Sequence, residues 1–214
     1  MKYILKKLEH IRIIPIVRID VPRDASALGN ALMSGGIPAA EITFRSTAAA
    51  ECIRTLRLEF SDMLVGAGTV LSVASVKQAV DAGAEFIMTP GFNPKVVDYC
   101  LERDIPVIPG VNSPTQVEMG LERGLSILKF FPAEASGGIK MIKALVNVYP
   151  EVSFIPAGGI NRQNILTYLK CEGVLACGGS WLVNYELIST GAFDEIIVLV
   201  SDVAALIRSA LLDS

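Results

Sequence analysis

The sequence is sparing with histidine, tryptophan and charge. It holds one histidine, His10, so a metal centre built from several imidazoles is excluded. A nucleophile–histidine–carboxylate triad would have to recruit this same His10, which falls in a leading helical pattern. The four cysteines, Cys52, Cys100, Cys171 and Cys177, never reach Cys-x-x-Cys spacing. That speaks against zinc or dithiol redox chemistry and for reduced, buried thiols. Long apolar runs are missing too. Ile13–Val17 and Ile196–Val200 are each far shorter than the ~20 residues that cross a bilayer. Met1–Lys7 has no continuous apolar stretch and no small-residue cleavage site, so no secretory signal is expected. Charged residues make up 19% and the net charge is −3, which gives no basic footprint for nucleic acid and no polybasic membrane patch. A cytoplasmic protein is the expectation.

What is present is apolar. At 51% hydrophobic over 214 residues, the chain can bury one large core, and no linker, low-complexity tract or composition shift divides it. Short β-branched or apolar runs recur at Ile13–Arg18, Ala40–Phe44, Met63–Gly66, Phe86–Pro90, Pro106–Pro109, Ile127–Phe131, Val152–Pro156 and Val174–Cys177. Their starts lie 20 to 27 residues apart, the length of a βα unit. Helical patterns fill the gaps: Ala25–Ser34 after Asp24, Val73–Ala82 after Ser72, Pro94–Glu102 after Asn93, Pro114–Glu122 after Ser113 and Arg162–Leu169 after Asn161. Gly83 and Gly124 read as helix ends. Eight strands alternating with helices predict an α/β fold, a single-domain (β/α)8 TIM barrel over residues 1–214. It has an N-terminal helix, and an amphipathic helix over Phe193–Leu212 closes it. An open doubly wound sheet is the alternative.

Lys129 stands inside an apolar strand, Ile127–Leu–Lys–Phe–Phe131. Period two puts Ile127, Lys129 and Phe131 on one face and Leu128 and Phe130 on the other. Both faces of a barrel strand are covered, so the ammonium is removed from water and its neutral form is favoured. A neutral amine can attack a carbonyl and form a Schiff base. The other reading is a strand-end lysine that snorkels to solvent. In Glu41–Ile–Thr–Phe–Arg45, the same period lines up Glu41, Thr43 and Arg45. Facing a barrel interior, the carboxylate would lie deep and serve as acid or base, and the guanidinium at the mouth would clamp a carboxylate. The competing reading is a solvated strand face or a surface ion pair. Gly158–Gly159 after the seventh strand and Gly178–Gly179–Ser180 after the eighth stand where barrels bind phosphate through backbone N–H groups. Gly66–Ala–Gly68–Thr69 after the third strand lacks the last glycine of a dinucleotide fingerprint.

Taken in order, Glu41–Ile–Thr–Phe–Arg45, Gly66–Ala–Gly–Thr–Val–Leu71, Thr89–Pro–Gly91, Ile108–Pro–Gly110, Lys129–Phe–Phe–Pro–Ala–Glu134, Gly158–Gly–Ile160 and Gly178–Gly–Ser–Trp181 resemble the 2-keto-3-deoxy-6-phosphogluconate / 4-hydroxy-2-oxoglutarate aldolase family, from about residue 12 to about residue 185. The resemblance implies a homotrimeric barrel. It implies a class I, metal-independent aldolase with no cofactor, which cleaves the phosphorylated keto-deoxy sugar acid to pyruvate and D-glyceraldehyde 3-phosphate. By the same resemblance Lys129 is the Schiff-base lysine, and Glu41 is the carboxylate that shuttles protons through water. Arg45 and Thr69 hold the pyruvate carboxylate, and Pro90 and Phe131 wall the Schiff base. Gly158, Gly159, Gly179 and Ser180 form the phosphate pocket, joined by Arg18 as in part of the family. Gluconate-type members usually carry threonine where Ala157 stands, so relaxed choice at C4 is expected, since one lost hydrogen bond is worth only ~1 kcal/mol. Three further readings remain at this point: an aldolase for the galactonate epimer, a non-catalytic phosphosugar-binding barrel, and a sugar-phosphate epimerase, whose usual metal-binding histidines this chain lacks.

Overall fold

The computed structural model describes residues 2–212. Met1, Asp213 and Ser214, the ends of the expected domain, lie outside the described residues. Strands and helices alternate: α1 (Lys2–Ile11), β1 (Ile13–Val17), α2 (Asp24–Ser34), β2 (Ala39–Thr43), α3 (Ala49–Glu59), β3 (Leu64–Gly68), α4 (Val73–Asp81), β4 (Ile87–Met88), α5 (Pro94–Leu101), β5 (Val107–Ile108), β6 (Gly110–Val111), α6 (Pro114–Leu121) and β7 (Ile127–Phe130). A 3-10 turn over Glu134–Ser136 leads into α7 (Gly138–Val148), β8 (Ser153–Pro156), α8 (Ile165–Leu169), β9 (Cys177–Gly179), α9 (Tyr185–Ser189) and α10 (Phe193–Leu212).

All ladders are parallel. One six-stranded sheet runs β5-β4-β3-β2-β1-β9, and a three-stranded sheet runs β6-β7-β8. Among the described residues the expected eight strands thus become nine segments in two parallel sheets, of six and three strands, and not one closed sheet. The division falls at Pro109, which has no N–H to donate and separates β5 from β6. Its carbonyl still accepts from Lys129 N–H at 2.9 Å. Two isolated parallel bridges, Phe154 to Val174 and Ala157 to Gly178, connect the β8 and β9 regions. Gly178 and Gly179 lie within β9 and not after it, and Gly66 and Gly68 lie within β3. The physical reason is close packing. A Cβ at Gly66 would meet the Phe86 ring, one at Gly178 the side chains of Ala157 and Ile16, and one at Gly179 the Trp181 ring.

Helix starts divide by cap chemistry. Ser72 accepts from Ser75 N–H and Asn93 from Lys95 N–H, as their sequence positions predict. Asp24 is the first residue of α2, and Arg23 occupies the cap position without a side-chain bond. Ser113 holds the cap position of α6, also without a bond from its side chain. Asn161 accepts from Gln163 and Asn164 N–H and organises a turn, so α8 starts only at Ile165. Gly83 and Gly124 adopt φ of +94° and +72° and end α4 and α6. In α1, Ile4, Leu8 and Ile11 recur at helical spacing and are buried. In α10, Ile196, Val200, Val203 and Ile207 do the same, with Val200 filling the space left by Gly35 at the end of α2. No helix among the described residues is long and apolar enough to cross a membrane.

Candidate active site

Lys129 and Glu41 meet. Leu128 packs against Gly120 of α6, so the helix layer takes the even face of β7 and Lys129 turns to the other side. Lys129 is 5% exposed and Glu41 1%. The Lys129 Nζ donates to both oxygens of the Glu41 carboxylate, at 2.9 Å and 3.1 Å. The two residues are 88 positions apart and stand in different sheets. The carboxylate needs room, and Gly68 supplies it: a Cβ there would collide with Glu41 Oε1. Thr43, also buried, donates its hydroxyl to the Val17 carbonyl at 3.0 Å and ties β2 to β1 beneath the site. The Phe131 ring lies 5.6 Å from Lys129 Nζ. Neither the snorkelling lysine nor the surface Glu–Arg pair survives this geometry.

The other expected residues gather at the C-terminal ends of the strands. Arg45 follows β2, is exposed, and makes no hydrogen bond or ion pair with the described residues. Thr69 follows β3 with φ +54°. A β-branched residue in the left-handed region stores ~1–3 kcal/mol of strain, and such residues collect at functional sites. Pro90 is half-buried, and its carbonyl packs so tightly on Gly110 that any side chain there would clash. Gly158 and Gly159 have φ of +91° and +86°. Ser180 is exposed. Arg18 stands just beyond β1, which pairs Pro15 with Gly179 of β9. Its side chain makes no hydrogen bond to the glycine loops among the described residues. It grips Asp20 with two bonds, at 2.9 Å and 3.3 Å, and stacks 4.8 Å above the Tyr185 ring. The hydrogen bond from Arg18 holds the Asp20 carboxyl below its ordinary range, and Asp20 raises both Arg18 and Tyr185. Among the described residues, no group of three or more His, Cys, Asp or Glu side chains could hold a metal ion.

A buried amine in contact with a buried carboxylate, ringed by strand ends with free polar groups, can exchange a proton with a bound carbonyl compound. Comparison with known proteins gives this arrangement a family. The model described as "KDPG and KHG aldolase" matches residues 4–199. The 2-dehydro-3-deoxy-phosphogluconate aldolase of Haemophilus influenzae is 47% identical over 205 residues, covering 96% of this chain and 97% of that one. The chain belongs to the KDPG and KHG aldolase family. It is a class I aldolase, a carbon–carbon lyase. The KDPG aldolase of Legionella pneumophila, solved with pyruvate captured at low pH as a covalent carbinolamine intermediate, is 38% identical with a TM-score of 0.89, covering 92% of this chain and 96% of its own. The aldolase of Zymomonas mobilis, solved with 3-phosphoglycerate, is 32% identical with a TM-score of 0.86, covering 94% and 95%.

Three residues of this aldolase's site, Gly68, Thr89 and Gly110, lie within motifs that carry the family resemblance, but their roles show only in the structure. Gly68 and Gly110 look like ordinary turn glycines, yet one makes space for Glu41 and the other for the Pro90 carbonyl. Thr89 is fully buried; its hydroxyl donates to the Gly91 carbonyl at 2.7 Å and accepts from Gly110 N–H at 3.3 Å. A buried threonine between Met and Pro could have hinted at this, because buried hydroxyls must be paired.

Proposed function

We propose that this protein cleaves 2-keto-3-deoxy-6-phosphogluconate to pyruvate and D-glyceraldehyde 3-phosphate through a Schiff base on Lys129. The observation that carries the reading is the buried Lys129–Glu41 contact. Family membership and the name of the H. influenzae relative support it.

Lys129 attacks as the free amine, and Glu41, already bonded to Nζ, is the group positioned to take its proton. Attack on C2 gives a carbinolamine. Loss of its hydroxyl as water, with a proton from Glu41, leaves the protonated Schiff base. Glu41 then removes the C4 hydroxyl proton through water. The C3–C4 bond breaks, its electron pair enters the iminium sink, and the aldehyde leaves. Reprotonation of the enamine at C3 and addition of water release pyruvate and restore the amine. Arg45 and Thr69 hold the keto-acid carboxylate, and Pro90 and Phe131 keep bulk water from the iminium. Gly158, Gly159, Gly179 and Ser180 receive the phosphate. Ile160 and Ser180 make no hydrogen bond with the described residues, which leaves their N–H groups available to an anion. Arg18 shares its guanidinium between Asp20 and the phosphate. The same steps turn 4-hydroxy-2-oxoglutarate into pyruvate and glyoxylate.

The reading includes one closed (β/α)8 barrel domain. Pairing of β9 with β1, the two bridges to β8 and the run of β5 into β6 favour closure. A homotrimer working in the cytoplasm is carried over from the family likeness. The test is borohydride reduction with pyruvate. The expected result is an adduct that maps to Lys129 by peptide mass analysis and is lost in Lys129→Ala. Folded protein that traps no pyruvate would refute the mechanism and favour a non-catalytic phosphosugar-binding protein.

A further inference from the structure

Beyond the reacting pair, one part-buried polar contact, between a buried phenol and an exposed carboxylate, stands beside the glycine loop. Tyr168 of α8 is 1% exposed, and its hydroxyl donates to Glu134 Oε1. Burial first, and this bond second, push the phenol well above its ordinary range, so it stays a donor. The carboxylate is pinned over Gly138, the first residue of α7: a Cβ there would stand 3.1 Å from Glu134 Oε1 and 3.0 Å from the Tyr168 hydroxyl. The stem of Glu134 lies under Gly159, whose Cβ would fall 2.5 Å from Glu134 Cγ. Two backbone bonds bind the same segments, Ala133 N–H to Ala157 O at 2.8 Å and Glu134 N–H to Gly158 O at 3.1 Å. Gly158 rests on Phe131, whose ring faces Lys129.

We propose that Tyr168 is a positioning residue that keeps the Glu134 carboxylate away from the incoming phosphate while the Glu134 stem seats the Gly158–Gly159 loop. The inference rests on the reading above, in which that loop receives the phosphate. A carboxylate released beside the loop would repel a phosphate dianion and leave the keto-acid end untouched. Tyr168 therefore tunes selectivity for phosphorylated over unphosphorylated substrate.

The test is Tyr168→Phe, with kcat and KM measured on 2-keto-3-deoxy-6-phosphogluconate and on unphosphorylated 4-hydroxy-2-oxoglutarate, and with inorganic phosphate as competitive inhibitor. The KM ratio of phosphorylated to unphosphorylated substrate is expected to rise about tenfold, and the inhibition constant of phosphate with it. Tyr168→Phe/Glu134→Gln, which keeps the stem and removes the charge, is expected to bring both back toward wild type. A merely structural tyrosine would harm both substrates alike without rescue, and that result overturns the inference. Should Tyr168→Phe fail to fold, Glu134→Asp draws the carboxylate off the phenol, and an unchanged ratio there overturns it equally. An unchanged ratio in protein that traps pyruvate sinks this inference alone; a wild-type protein that traps none sinks the reading beneath it.

Discussion

Replacing Lys129 with methionine keeps most of the stem and deletes the ammonium. Glu41 is then left at 1% exposure with no hydrogen-bond donor among the described residues, because both of its bonds come from Lys129. Breaking a buried pair in this way costs ~3–5 kcal/mol, a large share of the ~5–15 kcal/mol that holds a domain together. For a chain of this size the expected fall in Tm is ~6–20 °C. Removing both charges, as Glu41→Met/Lys129→Met, is expected to return stability to within ~1–2 kcal/mol of wild type, since an apolar pair of similar volume escapes the desolvation cost. Urea unfolding at fixed protein concentration, followed by Trp181 fluorescence and circular dichroism, measures both variants and checks that the slope is unchanged. The reasoning fails if Lys129→Met costs under ~1 kcal/mol, as an exposed pair would. It fails equally if the double variant is no more stable than Lys129→Met alone.

Two further outcomes follow from other parts of the molecule. Burial pushes the Cys52 thiol up to about 12 and the Cys100 thiol up to about 11. Their folded values lie above the unfolded ~8.5, so their contribution is complete below pH ~8.5 and is lost as pH rises toward those values, by ~1.4 kcal/mol per pH unit for each thiol. Urea midpoints between pH 8 and 11 should fall accordingly, and an equal decline in Cys52→Ala/Cys100→Ala would refute the assignment. At Ala157, fully buried and without a hydroxyl, comparable pyruvate release from the gluconate and galactonate epimers is expected. Ala157→Thr should favour the gluconate epimer several-fold; identical ratios before and after would mean that this position does not set the choice.

The Lys129–Glu41 pair is half legible in the sequence. A lysine flanked by Ile, Leu and Phe declares its burial, and period two gives its facing; Glu41 and Thr43 follow by the same parity. Their contact across 88 residues depends on how the sheets curve, which no local pattern encodes. The strands are shorter than their apolar runs where proline intervenes: Pro106, Pro109 and Pro90 lack the N–H that a longer ladder needs, and β4, β5 and β6 have two residues each. Helix α7 escaped a propensity reading because it opens on Gly137 and Gly138, both at positive φ. Glycines 178 and 179 read as loop because glycine is a poor strand former; only the neighbouring Ile16, Ala157 and Trp181 side chains reveal why a bare backbone is required there. The C-terminal helix, by contrast, spans Phe193–Leu212 as its amphipathic pattern predicts.

The separation of the carboxylate and the amine along the chain has a consequence for biosynthesis. A ribosome that has released β1 to β3 has made Glu41 and its glycine recess but not Lys129. Contacts between such distant strands form late, after the entropy of closing a long loop has been overcome. A chain that stops before β7 therefore leaves Glu41 without its partner. Formation of the buried ion pair becomes a report that β7 has come to face β2.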